Sequence, residues 1–201
     1  MTIPISKVAR ALREGPGPDT RDDAIQWRAA VAILLREREG DAEVLMIRRA
    51  VREGDPWSGH AALPGGRVDP DDASIEHTAM REVMEEVGVD LRAAGARVLG
   101  HLSDHPRRGP RWATFAVTPI VVAIEGDPSL TLAPKEVSEA RWVTLSRLRA
   151  THSRMLWWYR PWPRVPLALP MLLPRWRFES LTIWGLTHGI LNELLDRVES
   201  G

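Results

Sequence analysis

The sequence predicts an α/β fold with one main core, and three observations lead to this prediction. Apolar stretches of strand length occupy residues 29–35, 44–47, 98–101, 114–124 and 140–143. Helical periodicity, with apolar residues recurring every three or four positions, marks residues 71–88 and 181–198. A chain of 201 residues is long enough to bury roughly 70% of its unfolded surface. We therefore expect a central sheet with helices packed against it.

Residues 1–23 are predicted to form an N-terminal helical arm. A short helical pattern over residues 5–14 has its apolar side at Ile5, Val8, Ala9 and Leu12. The glycine- and proline-rich run 15–18 ends this helix. We expect the arm to dock on the main domain, with an oligomer contact as the alternative.

The first two predicted strands are joined by a turn at residues 39–41, a pattern that indicates a β-hairpin. The polar loop 52–60 follows and directly precedes a glycine turn, so it is a candidate wall of a binding site. Trp57 in this loop either stacks on a bound base or supports the loop. For His60 we expect a hydrogen-bonded loop side chain.

Residues 71–88 predict an amphipathic helix. Asp71 and Asp72 are candidate N-caps, because a short side-chain oxygen accepts from the unpaired amides of the first turn. Gly88 is a natural end, because glycine readily adopts the left-handed conformation. At roughly 100° per residue, the apolar side chains share one face and the glutamates the opposite one. The apolar set is Met80, Val83, Met84 and Val87, and the acidic set is Glu82, Glu85 and Glu86.

Glutamates three and four residues apart repel one another, by roughly 0.2–0.5 kcal/mol per pair in an isolated helix. Arg81 is the only local positive charge that relieves this repulsion. A divalent cation such as Mg²⁺ would also relieve it, because hard cations are often held by one or two carboxylates together with substrate phosphates. Gly65 and Gly66, before the helix, allow the backbone to approach a metal or a phosphate closely. The alternative, a solvated acidic face, does not account for this combination.

Composition narrows the classes of partner. Twenty-seven basic and 27 acidic side chains cancel, so overall charge favours neither nucleic acid as a bulk partner nor an anionic membrane. The chain has no cysteine, which excludes thiolate metal sites and leaves oxygen ligands. We expect a soluble, cytoplasmic protein, because no signal-like segment and no 18-residue apolar run occurs.

On these residues the sequence resembles the Nudix hydrolase family. The family signature is a glycine, five residues, a glutamate, seven residues, Arg-Glu, an apolar residue, any residue, Glu-Glu, any residue, a glycine and an apolar residue. Two positions depart from it: Asp72 replaces the first glutamate, and eight residues rather than seven separate it from Arg81. The positions that match are Gly66, Arg81, Glu82, Val83, Glu85, Glu86, Gly88 and Val89.

The resemblance covers about residues 24–198 and implies a Nudix hydrolase domain over residues 24–201. It implies an α/β/α sandwich with a mixed central sheet, and hydrolysis of a nucleoside diphosphate linked to another moiety. It also implies Mg²⁺ or Mn²⁺, held by Glu82, Glu85, Glu86 and the carbonyl of Gly66. Glu85 or Glu136 would act as the general base, and Arg81 would hold the glutamates in place.

Further features resemble the coenzyme A diphosphatase branch of that family. They are the lengthened loop, Thr78-Ala79, Arg49-Ala50, Gly59 and the closing Trp184-Gly185-Leu186-Thr187. Asp55 stands where this branch has an arginine, and Leu63 replaces its phenylalanine. The resemblance implies coenzyme A or a derivative as the substrate. The alternatives are ADP-ribose, a dinucleotide or an oxidised nucleotide, and a sensor that binds such a ligand without cleaving it.

Arginine and tryptophan side chains supply the candidates for substrate binding. Arg107, Arg108 and Arg111 crowd into one predicted loop, and guanidinium groups suit the recognition of phosphate. A solvated basic loop is the alternative. Arg49 and Trp57 complete the set.

Residues 151–178 contain five prolines and four tryptophans. Repeated proline predicts neither a regular helix nor a central strand here. We expect either a lid near the substrate or a homodimer contact, and favour packing with dimerisation. In the last helix, 181–198, the residues spaced for burial are Leu186, Ile190, Leu194 and Leu195.

Overall fold

The computed structural model describes residues 2–13, 15, 25–55, 57–108, 114–159 and 169–201. These residues form an α/β structure in which runs of three or four strands are separated by helices. The helices are α1 (Ile5–Ala11), α2 (Ile75–Val87), α3 (Leu145–Leu148) and α4 (Gly185–Ser200). The strands are β1 (Trp27–Arg38), β2 (Asp41–Arg49), β3 (Ala61–Ala62), β4 (Gly65–Arg67), β5 (Arg97–His101), β6 (His105–Arg108), β7 (Thr114–Ala123), β8 (Val137–Thr144), β9 (His152–Tyr159), β10 (Leu169–Phe178) and β11 (Leu181–Trp184).

The centre of the fold is an eight-stranded sheet with the order β3-β2-β1-β7-β5. Strand β4 pairs with β1, β6 with β7, and β8 with β2. Strands β1 and β7 run parallel, whereas β1 and β2 form the predicted antiparallel hairpin. The predicted mixed sheet is therefore confirmed. The short strands β3, β4 and β6 were not predicted, because two to four residues carry too little periodicity.

Two apolar cores lie on the two faces of this sheet. Side chains alternate along β1, so Ala30, Ala32 and Leu34 face helix α2. The intervening Ile33 and Leu35 face the core that contains α1, α3 and α4. This arrangement is the expected α/β/α sandwich. No helix in the described ranges is both long and apolar enough to cross a membrane.

The prediction that residues 151–178 contain no central strand was wrong. Strands β9 and β10 pair antiparallel, and β10 lies between β9 and β11 in a second, three-stranded sheet. Pro170 and Pro174 both lie within β10. They are tolerated because β11 pairs with β10 only from Arg175 onward, so at both prolines β10 has a neighbour on one side only.

The chain termini also differ from the predicted boundaries. Residues Leu181–Trp184 form a strand, and helix α4 starts at Gly185, whose φ of +62° a β-carbon would disfavour. Helix α1 ends at Ala11 rather than at residue 14. Its Ile5, Val8 and Leu12 belong to the core beneath α4.

Candidate functional site

Helix α2 is fixed at both ends by local hydrogen bonds. The side chain of Ser74 accepts from the backbone N–H of His77 at 3.1 Å and caps the N-terminus. The predicted caps, Asp71 and Asp72, were therefore wrong, because the helix begins later than its polar lead-in suggests. Gly88 ends the helix in the left-handed conformation, as predicted, with φ of +70°.

The buried face of α2 differs in part from the predicted one. Val83 and Val87 are buried as expected, but the side chain of Met84 is largely exposed and Met80 is only partly buried. Glu86, which was placed on the exposed face, is only 3% exposed. On a helical projection Glu86 lies roughly 60° from Val83, so a wide buried stripe includes it.

The carboxylate of Glu86 is held against the glycine turn. The backbone N–H of Gly65 donates to Glu86 Oε2 at 3.0 Å. Burial raises the pKa of Glu86 to about 8, with a further contribution from the negative charge of Glu82. Among the described residues, this carboxylate accepts one hydrogen bond and has acidic neighbours, a setting that a bound cation would stabilise.

Glu82 lies beside the second glycine of the same turn. A β-carbon at Gly66 would lie 2.3 Å from Glu82 Oε1, so only glycine leaves room for this carboxylate. Burial raises the pKa of Glu82, and the charges of Glu85 and Glu136 add to the effect, whereas Arg81 opposes it. The two glycines thus bring backbone and carboxylates together.

Arg81 binds the other side of the acidic cluster. Its guanidinium donates to Glu82 Oε1 and to Glu85 Oε2, both at 2.9 Å. It also forms a two-point contact with Asp72, at 3.0 and 3.1 Å. The pKa of Asp72, whose side chain is almost fully buried, is held well below its usual range by this guanidinium. Sequence reasoning identified Asp72 as a departure from the family signature but missed its role as the anchor of Arg81.

Glu136 approaches the cluster from the loop before β8. The backbone N–H of Ala50 donates to the carbonyl of Glu136 at 2.7 Å, and that of Ala133 donates to the carbonyl of Glu86 at 3.0 Å. The Glu136 side chain is partly exposed and pairs with Arg52 at 3.3 Å. Its charge contributes to the raised pKa values of both Glu82 and Glu86. The structure therefore brings Glu136 near the helix carboxylates, and Arg52 is a neighbour that the sequence did not reveal.

The carboxylates fit a hard divalent cation. Glu82 and Glu86 offer oxygen atoms beside a backbone turn. Arg81, which pairs with Glu82, is shared with Asp72 and Glu85, and Arg49, the positive charge that acts on Glu86, is shared with Asp55. In the described part of the chain, no three His, Asp or Glu side chains converge closely enough to hold a metal by themselves. Mg²⁺ does not require such a cage, because it keeps several waters and binds one or two carboxylates plus substrate phosphates.

The other predicted binding residues surround this cluster unevenly. The positive charge of Arg49 lowers the pKa of Glu86 and so opposes the effect of burial, which indicates that Arg49 lies near this carboxylate. The guanidinium of Arg49 also pairs with Asp55 at 2.9 Å. The ring of Trp57 is 43% exposed and lies edge-on to Phe115. His60 packs edge-on against Trp184, 5.0 Å between ring centroids.

The structure describes only part of the predicted arginine group. Arg107 and Arg108 lie on strand β6, and Arg111 lies outside the described residues. The guanidinium of Arg107 donates to the carbonyl of Pro106 at 2.9 Å, and burial lowers its pKa. No contact joins Arg107 to the carboxylate cluster within the described residues, so a phosphate-binding role for this group stays a prediction.

Comparison with known proteins gives a consistent family match. The model of the NUDIX domain matches residues 26–164. An uncharacterised protein of Schizosaccharomyces pombe is 41% identical over 150 residues, which are 65% of this chain and 45% of that protein. The Nudix hydrolase NudL of an Enterobacter strain, also uncharacterised, is 30% identical over 189 residues, 87% of this chain and 84% of that protein.

The fold has a counterpart among solved structures. A MutT/nudix family protein from Enterococcus faecalis superposes with a TM-score of 0.53 at 18% identity, covering 98% of this chain and 70% of that one. At this identity the match concerns the fold alone. The chain spans less than half the length of its Schizosaccharomyces pombe relative.

Proposed function

This chain belongs to the Nudix hydrolase family, and we propose that it is a divalent-cation-dependent pyrophosphohydrolase whose site is the Glu82–Glu86 cluster. The observation that carries the proposal is the buried carboxylate of Glu86, held by the Gly65 amide beside the partly buried Glu82, which packs against Gly66. A buried acid with so few partners is costly unless a cation or a proton neutralises it. A cation shared with a diphosphate satisfies this requirement.

We assign the roles within the cluster from its contacts. Glu82 and Glu86 hold the cation, with the Gly66 carbonyl as a further ligand. Mg²⁺ or Mn²⁺ bound there supplies the positive charge that polarises the diphosphate and lowers the pKa of a bound water. Arg81 fixes the orientation of Glu82 and Glu85 and is itself fixed by Asp72.

The general base is Glu85 or Glu136, each of which is a partly exposed carboxylate near the buried pair. Glu85 also stays a candidate metal ligand. A base that removes a proton from water must be within reach of solvent, which both residues satisfy. Glu136 is favoured as the base because backbone hydrogen bonds join its loop to the C-terminal turn of α2.

For the substrate, we propose a nucleoside diphosphate linked to another moiety, most specifically coenzyme A or a derivative. The closing segment Trp184–Thr187 supports this choice, because it contacts the loop before the glycine turn. Trp184 packs against His60, and the hydroxyl of Thr187 donates to the carbonyl of Ala61 at 3.3 Å. The closing segment therefore lies beside the two residues that directly follow Gly59, another feature that resembles the coenzyme A branch.

The test is product analysis by chromatography after incubation with Mg²⁺ and coenzyme A, ADP-ribose, NADH or diadenosine polyphosphates. We expect 3′,5′-ADP and phosphopantetheine from coenzyme A with the wild type, and at least about a hundredfold less with Glu86→Gln. Glu76→Gln is the matched control on the same helix, because Glu76 pairs with His101 away from the cluster. If another of these compounds were cleaved instead, it would replace coenzyme A as the proposed substrate. If a compound were bound and none were cleaved, the sensor alternative would be favoured.

A further inference from the structure

The ribbon formed by β9 and β10 exposes large apolar side chains at the end where the two strands leave the described part of the chain. Leu172 is 63% exposed, Leu156 53%, Met171 43% and Trp157 37%. Leu156 pairs with Leu172 across the ribbon, and Trp157 pairs with Met171. We refer to these four residues as the apolar end of the ribbon.

The apolar end is exposed on both faces. Because successive side chains of a strand point to opposite faces, the Leu156–Leu172 pair lies on one face and the Trp157–Met171 pair on the other. A single flat protein surface can cover only one of these two faces. A fluid apolar medium surrounds both faces.

The charge of the same segment is one-sided. Residues 152–178 contain five arginines and no aspartate or glutamate, although the whole chain is neutral. Arg154 and Arg177 are exposed, and neither is paired with a carboxylate in the part of the chain that the structure describes. Such a surface attracts an anionic partner and repels a second copy of itself. From the net charge of zero we predicted no anionic membrane as a partner, but that total does not show the local excess of positive charge in this segment.

We propose that the apolar end of the ribbon docks peripherally on an anionic phospholipid bilayer. The exposed leucines and Trp157 enter the headgroup region, and Arg154, two residues from Leu156 on the same face of β9, contacts lipid phosphates. Tryptophan and arginine beside apolar residues are the composition that suits this interface, since tryptophan combines an apolar ring with a polar N–H. Local positive charge strengthens the attraction to such a surface.

Docking there also affects the candidate site. The ring of Trp157 lies 4.6 Å from that of Trp184, which contacts His60 in the loop before the glycine turn. The ribbon and the loop that borders the site thus form one continuous contact. Membrane docking would hold that side of the site close to the lipid surface.

The experiment is co-sedimentation of the full chain with vesicles of phosphatidylcholine, with and without phosphatidylglycerol. We expect binding only to the vesicles that contain phosphatidylglycerol, weakened by added salt. The double substitution Leu156→Ser with Leu172→Ser should lower the partition coefficient about tenfold or more. Arg154→Gln should also lower it, by about fivefold.

Val98→Ser is the control, because Val98 is an exposed apolar residue on β5 of the other sheet and should leave binding unchanged. Thermal unfolding of each variant excludes loss of fold as the cause. Binding that survives the leucine substitutions, or the absence of binding to anionic vesicles, would overturn the proposal. A dimer in sedimentation that the leucine substitutions dissociate, without vesicle binding, would assign the surface to a second copy instead.

Discussion

Glu86 combines the two properties on which the proposed chemistry depends, a carboxylate and near-complete burial. The family signature predicted the carboxylate, but helical periodicity placed it on the exposed face. Periodicity sorts residues by angle alone, whereas burial here follows from the turn at Gly65 and Gly66, which covers the side of α2 where Glu86 lies. The residue types of the site could therefore be predicted from the sequence, but the burial of Glu86 could not.

Gly66→Ala tests the close approach between the glycine turn and Glu82. The added β-carbon would lie 2.3 Å from Glu82 Oε1, so the carboxylate must move. Because this atom ends a flexible side chain, we expect the free energy of unfolding to change by less than about 1 kcal/mol. Because the Glu82 carboxylate is a proposed cation ligand, its displacement should lower kcat at least about tenfold. Steady-state kinetics and thermal unfolding measure the two effects.

Gly189→Ala is the matched glycine substitution. Gly189 lies within α4, and a β-carbon there would have no atom within 4 Å. We expect unchanged kinetics and an increase of about 0.5–1 kcal/mol in the free energy of unfolding, because alanine favours a helix over glycine. Full activity of Gly66→Ala beside this control would disprove the role given to the glycine turn.

At the scale of the element, substitutions can test whether Ser74, as observed, or Asp71, as predicted from the sequence, caps helix α2. Ser74→Ala removes the oxygen that accepts from the N–H of His77 and should cost about 1 kcal/mol of the free energy of unfolding. Asp71→Ala should cost almost nothing, because no hydrogen bond of the Asp71 side chain caps the helix. Denaturant unfolding measures both. A larger loss for Asp71→Ala would restore the cap predicted from the sequence.

Glu139 on β8 links three elements through its carboxylate. It accepts from Arg48 on β2 at 3.0 Å, from the Ser180 hydroxyl in the β10–β11 turn at 2.7 Å, and from Arg141. Hydrogen bonds from Arg141 and Ser180 lower the pKa of Glu139 to about 2, below its ordinary value of 4.5. Because the pKa is lower in the folded state, this stabilisation is complete above pH 4.5 and is lost as the pH falls towards 2.

Glu139→Gln should therefore lower the free energy of unfolding at pH 7 by up to about 1 kcal/mol, the usual range for a partly exposed ion pair. The difference from the wild type should shrink as the pH falls below 4.5. Urea unfolding at a series of pH values measures it. A difference that does not change with pH would show that the charge of Glu139 is not the cause.

The ribbon of β9 and β10 shows why one element could not be predicted. Proline is excluded from strands that are paired on both sides, and the sequence does not reveal how far each neighbour extends. Strand β11 is four residues long and stops before reaching Pro170 or Pro174. The same short pairing leaves the apolar end of the ribbon exposed.

At the scale of the whole molecule, the site is assembled from segments that are distant in sequence. Arg52 follows β2, yet it pairs with Glu136 and donates to the carbonyl of Lys135 at 2.7 Å. Strand pairing between β2 and β8 brings these loops together. The sequence predicted the α/β class and the five longer strands of the main sheet, but the order of strands in the sheet rests on long-range pairings that local patterns do not specify.

The most direct test of the proposed site is binding of Mn²⁺, followed by electron paramagnetic resonance as free Mn²⁺ is consumed. We expect the wild type and Glu76→Gln to bind equally, and Glu86→Gln to bind at least about tenfold more weakly. Circular dichroism should show that all three proteins are equally folded. Equal Mn²⁺ affinity of Glu86→Gln and the wild type would contradict the assignment of the buried glutamate as a cation ligand.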